Sequence, residues 1–287
     1  VHIAFVTSTA HGDLTPDDHL AVAVLAERGA RVTAAIWNDA GIDWGSFDSI
    51  IVRSTWDYHK NADQFRAWID KLDTMGAPLW NPPVMLRWNM EKTYLRELED
   101  AGIPIVPTAW LDRGSQADLG KLLADRGWEH GVVKPVISAA ASRTWRVSRD
   151  DVSKGNAQLA ESLELGDVMV QPFMAEIQTR GEWSLIFIAG EFSHAVRKIP
   201  AGGDFRVQHT FGGQSLVDTP SAEVLEVARR VLDAAPSPWL YARVDGIETD
   251  AGFVLLELEM LEPGLFLSYS RAGAVRLAEA ILKNIRR

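Results

Sequence analysis

The chain has no cysteine among its 287 residues. Disulfides, thiol nucleophiles and thiolate metal sites are excluded, and the redox compartment is left open. No apolar run reaches the roughly 18 residues that a membrane helix needs. No signal-peptide pattern follows Val1. A cytoplasmic enzyme that touches no membrane is the expectation. Basic residues are in deficit: 29 Lys and Arg stand against 39 Asp and Glu, a formal charge of −10. That balance argues against a nucleic-acid partner, whose phosphates demand a cationic surface. Several motifs are missing too. There is no Walker A lysine loop, no dinucleotide glycine fingerprint, no Gly-x-Ser-x-Gly elbow and no histidine pair at metal-ligand spacing. Internal repeats and low-complexity segments are likewise absent.

What remains is a globular composition, 47% hydrophobic and 24% charged, long enough for two or three subdomains. Most of the 11 Trp are expected in cores. Apolar strands at 1–6, 31–36 and 49–52 alternate with amphipathic helices at 17–28 and 61–72. This predicts an open parallel sheet over the first eighty residues, with ligands beyond its C-terminal strand ends. A helix is predicted over 89–101 and an extended crossing over 103–108. Helices at 115–125 and 151–164 with strands at 131–135, 144–148 and 167–172 make a compact α+β unit, a lid. Strands at 183–188 and 192–196, a helix at 221–234, a hairpin and a helix at 271–285 complete the chain. The apolar strands of the N-terminal part suggest a homo-oligomer.

Chemistry concentrates near the C-terminus. In Leu255-Leu256-Glu257-Leu258-Glu259-Met260-Leu261-Glu262-Pro263-Gly264, strand alternation puts Glu257 and Glu259 on one face. A turn through 249–252 would bring Asp245, on the preceding apolar run, beside them. Crowded carboxylates repel one another and lose hydration, and a divalent cation removes both penalties. The same alternation also describes any half-exposed strand. Cations come from elsewhere. Lys134 ends an apolar strand and is followed by a loop of small residues containing Ser138. Arg206 lies in a loop flanked by Gly202-Gly203 and Gly212-Gly213, with Arg197 and Lys198 upstream. If they converge on the carboxylates they suit a magnesium–nucleotide site. If they do not, they are surface ion pairs.

Taken in order, these segments resemble the ATP-grasp superfamily, most closely its glutathione-synthetase-like and RimK-like ligases. The resemblance spans the chain and implies an α/β (α+β) architecture. An open parallel domain (1–88) would be followed by a lid subdomain (89–172) and a C-terminal subdomain (173–287), the last two sandwiching ATP. It implies that Lys92 and Lys134 anchor the nucleotide phosphates with Ser138 in the loop above them. Gln171 and Phe173 would form the adenine hinge, with Glu176 or Glu182 near the ribose. Asp245, Glu257 and Glu259 would hold two Mg²⁺. Arg206, with Arg197 and Lys198, would stabilise the transferred phosphoryl group. Arg53, Asp57, His59, Glu262 and Gly264 would meet an amino-acid-like carboxylate. Three departures stand out. The family's E-x-N becomes Glu257-x-Glu259, Glu262 adds a competing carboxylate, and the lid loop has Ala where relatives carry Gly. Arg53 to His59 and Ser193 to Lys198 resemble a subgroup of small bacterial ligases that close a ring. An intermolecular carboxylate–amine ligase, and a nucleotide-binding regulator without catalysis, are the competing readings.

Overall fold

The computed structural model describes residues 1–201 and 212–285. In chain order the first part contains β1 (His2–Thr7), α1 (Pro16–Glu27), β2 (Arg31–Ile36), β3 (Ser49–Ser54), α2 (Ala62–Thr74) and β4 (Leu79–Trp80). These strands pair in parallel in the order β2-β1-β3-β4. Alternation divides their side chains between two faces. Ile3 and Phe5 join Ala21 and Leu25 of α1, while Ala4 and Val6 join Phe65, Trp68, Ile69 and Leu72 of α2. Thr15 caps α1 by accepting from the Asp18 amide, with Pro16 at the first helical position. Every residue of β3 is buried. The apolar side chains of β1 and β3 are thus buried within the chain, whereas the edge strand β2 is only partly covered.

Two helices follow, α3 (Pro83–Asn89) and α4 (Tyr94–Asp100), where one helix over 89–101 was expected. The break is tertiary in origin. The Asn89 side chain bonds the main chain of Leu258, Met260 and Leu261, and the Lys92 amide donates to the Val136 carbonyl at 3.0 Å. The lid comprises β5 (Ala109–Leu111), α5 (Leu119–Asp125), β6 (His130–Pro135), β7 (Trp145–Ser148), α6 (Ser153–Leu165) and β8 (Val168–Pro172). Its antiparallel sheet, in the order β5-β8-β6-β7, covers one face with Leu119, Leu123, Leu159 and Leu163.

The remaining elements are α7 (Glu176–Arg180), β9 (Glu182–Ile188), β10 (Glu191–Ile199), β11 (Gln214–Val217), α8 (Ala222–Ala234), β12 (Tyr241–Thr249), β13 (Gly252–Glu259) and α9 (Arg271–Lys283). They build an antiparallel sheet in the order β11-β10-β9-β12-β13. One face carries Trp183, Leu185, Phe187, Ala242 and Val244 against Val224, Ala228 and Val231 of α8. Tyr94, Leu95 and Leu98 of α4 belong to this same core. The segment after residue 88 thus packs with the C-terminal sheet before the chain enters the lid. In exchange, Leu277 and Ile281 of α9 pack with Ile3 and Phe5 of the first sheet.

Candidate active site

A cavity of about 420 Å³ lies between the lid sheet and the C-terminal sheet, within the range of small-ligand sites. Alternation along each strand decides what faces it. In β6, Val132 and Lys134 line the cavity while Val133 enters the lid core. In β12, Arg243 and Asp245 line it while Ala242 and Val244 enter the other core. In β13, Glu257 and Glu259 both line it. Asp245 stands opposite Glu257 in the ladder, next to a bulge at Gly246.

The cations come from three segments. Lys92, in the break between α3 and α4, donates to the Ser138 carbonyl at 2.7 Å and to its hydroxyl at 3.3 Å, and pairs with Glu257 at 3.1 Å. It ties the lid loop to β13. Lys134 has no carboxylate within 4 Å among the described residues, and burial pushes its ammonium pKa down. Lys198 is buried, pairs with Glu182 and lies 3.5 Å from Asp245. Burial opposes its charge, but Asp245 and Glu182 outweigh that and hold its pKa up.

Arg243 was not singled out by the sequence and is central to the geometry. Its Nε and Nη2 bond Asp245, Nη2 also bonds Glu259, and Nη1 donates to the Gly264 carbonyl at 3.0 Å. Ser184 donates to Asp245 from the other side. Asp245 is 3% exposed; burial penalises its charge, yet Arg243 and Lys198 hold its carboxyl below the usual range. Two glutamates behave oppositely. Burial, against the pull of Arg243, pushes Glu259 up to about 7. Burial, with Glu259 nearby, pushes Glu262 up to about 8. The wall holds more buried acid than its own bases neutralise.

Does this wall suit Mg²⁺? Its donors are hard oxygens, as Mg²⁺ requires. Glu257 and Glu259 meet the cavity with side chains 29% and 24% exposed. Asp245 does not fit as it stands, because Arg243, Ser184 and Lys198 occupy its oxygens. Among the described residues no three acidic or imidazole side chains form a ready metal cage. Interposed Arg243 is the reason.

The nucleotide-side expectations are gathered at the other end. Ser138, Gln171, Phe173 and Glu182 line the cavity with Met174 and Ile177. The Gln171 amide donates to the Thr108 hydroxyl at 3.0 Å, and the Arg146 guanidinium lies 4.1 Å from the centre of the Phe173 ring. In the loop after β6, Ala140, Ala141 and Arg143 hold left-handed backbone conformations. Such turns present successive N–H groups to anions, and here they do so without glycine.

Other expected residues lie elsewhere. Arg197 is adjacent to Lys198 on β10 and so faces the opposite side, stacked 3.7 Å over the Trp183 ring and paired with Asp218 and Glu248. Arg53 is buried against Asp18 at 2.8 Å. Asp57 accepts from the Trp37 indole. Glu176 and His59 are also outside the lining, whereas Glu262 and Gly264 belong to it. The Arg206 expectation falls outside the described residues. No helix among the described residues is long and apolar enough to cross a membrane.

The family described as D-cycloserine synthetase DcsG, N-terminal domain, matches residues 3–81. Prokaryotic glutathione synthetase, ATP-grasp domain, matches residues 115–245. The cycloserine biosynthesis protein DcsG of Streptomyces lavendulae is 29% identical over 276 residues, 90% of this chain and 91% of that protein. A glutathione synthetase of Synechocystis sp. is 28% identical over 206 residues, 70% of this chain and 60% of that enzyme. The crystal structure of D-cycloserine synthetase DcsG superposes with a TM-score of 0.90 at 26% identity, covering both chains fully. D-alanine–D-alanine ligase from Bacillus anthracis, complexed with ATP, superposes at 0.71 and 15% identity over 99% of this chain and 96% of that one, a likeness of fold.

Proposed function

We propose a ring-closing reaction on the premise that this chain is an ATP-grasp ligase, an enzyme that consumes ATP to form C–N bonds. ATP-grasp ligases work with ATP and Mg²⁺. The specific reaction is the closure of O-ureido-D-serine to D-cycloserine, in the cytoplasm where ATP is supplied. What carries this reading is similarity to DcsG along nearly the whole chain, including a match to its N-terminal domain family. The glutathione synthetase ATP-grasp match runs over residues 115–245 and leaves the first domain out.

The residues suit the chemistry. Carboxylates are poor electrophiles. A substrate carboxylate oxygen attacks the γ-phosphorus of ATP, ADP leaves, and an acylphosphate forms. The ureido nitrogen of the same molecule then attacks the carbonyl carbon. Phosphate departs with the C–O electron pair and the nitrogen loses its proton, which closes a ring whose nitrogen still carries the carbamoyl group. One water then cleaves that N–C bond, the ring nitrogen takes a proton, and the carbamic acid released breaks down to CO₂ and ammonia. Glu257 and Glu259 would hold Mg²⁺, two ions in this reading, which neutralises phosphate charge when bound. Lys134, with no carboxylate partner, and Lys92 meet the phosphates. Arg243 has five N–H donors, and one Nη1 hydrogen remains after its bonds to Asp245, Glu259 and Gly264. That hydrogen is available to the carbonyl oxygen as it gains charge. The lid excludes water that would hydrolyse the acylphosphate. Intramolecular attack gains effective molarity while the cavity holds both ends of the substrate.

ADP release tests this directly. With Mg–ATP and O-ureido-D-serine alone, one ADP should appear per D-cycloserine formed. ADP release that requires an added amine would establish the intermolecular ligase instead. Tight Mg–ATP binding with no phosphate release from any carboxylate would establish the regulator.

A further inference from the structure

Glu262 is the one acid of the cavity wall that neither the nucleotide nor the metal reading uses. It is 8% exposed and lines the cavity. Among the described residues no cation pairs with its carboxylate and no side-chain hydrogen bond reaches it. The nearby bases are engaged: Lys92 by Glu257 and Ser138, Lys198 by Glu182 and Asp245, Arg243 by Asp245, Glu259 and Gly264. Its own main-chain N–H reaches it, but a carboxylate buried with no cation beside it is costly and is retained where a ligand supplies the missing charge.

Its position is fixed by the main chain around it. Asn89 accepts from the Met260 and Leu261 amides, Tyr241 donates to the Leu261 carbonyl, the Trp56 indole donates to the Glu262 carbonyl at 2.9 Å, and Arg53 donates to Pro263. Buried Arg53, expected as a substrate contact, here holds the Pro263 carbonyl. Trp56 and Tyr58 line the same cavity; burial raises the pKa of the Tyr58 phenol, and the negative charge of Glu262 raises it further. A carboxylate beside two aromatic rings suits an ammonium group. Gly264, two residues on, carries the carbonyl that holds Arg243. One short rigid segment thus links a site for a cationic group to the site where a carboxylate is activated.

We propose that Glu262 binds the α-ammonium group of the amino-acid substrate and makes the enzyme selective for amino over deamino carboxylates. The proposal rests on the ligase reading above and names the substrate group that reading leaves unassigned. It distinguishes Glu262 from Glu257 and Glu259, which would hold the metal.

The test compares O-ureido-D-serine with its deamino analogue, 3-(ureidooxy)propanoate, in ADP release by wild type and Glu262→Gln. Wild type should favour the amino substrate by about 10- to 100-fold in kcat/KM, the range of a charge-assisted hydrogen bond. Glu262→Gln should lose that preference, falling on the amino substrate and holding on the analogue. Its KM for ATP and its Mg²⁺ half-saturation should not change. An equal loss on both compounds, or a shifted Mg²⁺ requirement, would overturn the proposal and make Glu262 a metal ligand. A wild-type enzyme that does not discriminate between the pair overturns it without any variant. Wild type that ignores O-ureido-D-serine but activates another α-amino acid overturns the substrate reading alone; the amino and deamino forms of that compound then decide Glu262.

Discussion

Gly246→Ala should separate the acidic strand pair and with it the site. Gly246 sits at the bulge where Asp245 pairs with Glu257 and Gly246 with Leu255. An added Cβ would lie 2.2 Å from Phe253 Cζ, 2.7 Å from its Cε2 and 2.7 Å from the Val254 carbonyl oxygen. Carbon atoms at rest stand about 3.5–4.0 Å apart. Phe253 is 5% exposed inside the core under α8 and has little room to retreat. The Val254 oxygen belongs to the paired strand and can move only if the strand does. Overpacking costs about 1–3 kcal/mol, and contact with main chain argues for the upper end. At about 2–4 °C per kcal/mol for a chain of this size, Gly246→Ala should melt roughly 6–12 °C lower. Its Mg–ATP affinity should fall as well, since Asp245 and Glu257 lose register. Gly252→Ala is the control. Its φ of +114° is strained for alanine, yet no atom lies within 4 Å, so it should cost about 1–2 kcal/mol from the backbone alone and leave nucleotide binding intact. Scanning calorimetry with nucleotide titration reads both quantities. A Gly246→Ala protein that melts no lower than Gly252→Ala would refute the reasoning.

Three further outcomes follow from the wall of the cavity. Glu257→Gln should lower turnover by orders of magnitude while melting near wild type, because Lys92 keeps its bonds to Ser138; undiminished turnover at saturating Mg²⁺ would remove Glu257 from the metal site. Lys134→Met should melt higher than wild type, since burial already disfavours its ammonium, yet bind ATP about tenfold or more weakly; loss of stability together with affinity would show a structural role instead. His194 is half-buried with Nε2 at 2.9 Å from the Leu265 carbonyl, and desolvation, against that bond, lowers its pKa. The unfolded chain therefore takes the proton first, so stability present above the ordinary value near 6.5 is lost as pH falls below it. Melting temperatures of wild type should drop more steeply than those of His194→Gln between about pH 7.5 and 5.5, and parallel curves would exclude His194.

The sheets were legible because the continuous apolar runs of β1, β3 and β9 stand out in the sequence, as fully buried strands require. Their pairing placed Lys134, Glu257 and Glu259 on cavity faces, and alternation alone gave that much. Alternation also contained a correction that the sequence reading missed: adjacent Arg197 and Lys198 cannot face the same ligand from one strand. Other features had no local signal. Met90, Tyr94 and Leu98 keep helical spacing across the break at Lys92, so only contacts with distant main chain reveal it. Arg53 looked free at a strand end, but Asp18, 35 positions earlier, neutralises it. Arg243 lay inside an apolar run. Its signal was its spacing of two from Asp245, which on a strand puts both side chains on the same face.

The pattern of engaged and unengaged charges constrains the ligand more tightly than any single residue. Replacing buried ion pairs by apolar side chains is often neutral or stabilising, so stability alone does not account for nine acidic and basic side chains lining one cavity. Most of them neutralise one another: Lys92 with Glu257, Lys198 with Glu182, and Arg243 with Asp245 and Glu259. Lys134 and Glu262 stand outside these pairs among the described residues, one base and one acid, on different walls. A ligand carrying charge of only one sign would leave one of them buried and unpaired. Phosphates toward Lys134 and an ammonium toward Glu262 satisfy both at once. A nucleotide and a zwitterionic amino acid bound together carry that pair of charges, and a regulator binding nucleotide alone would have no use for the second.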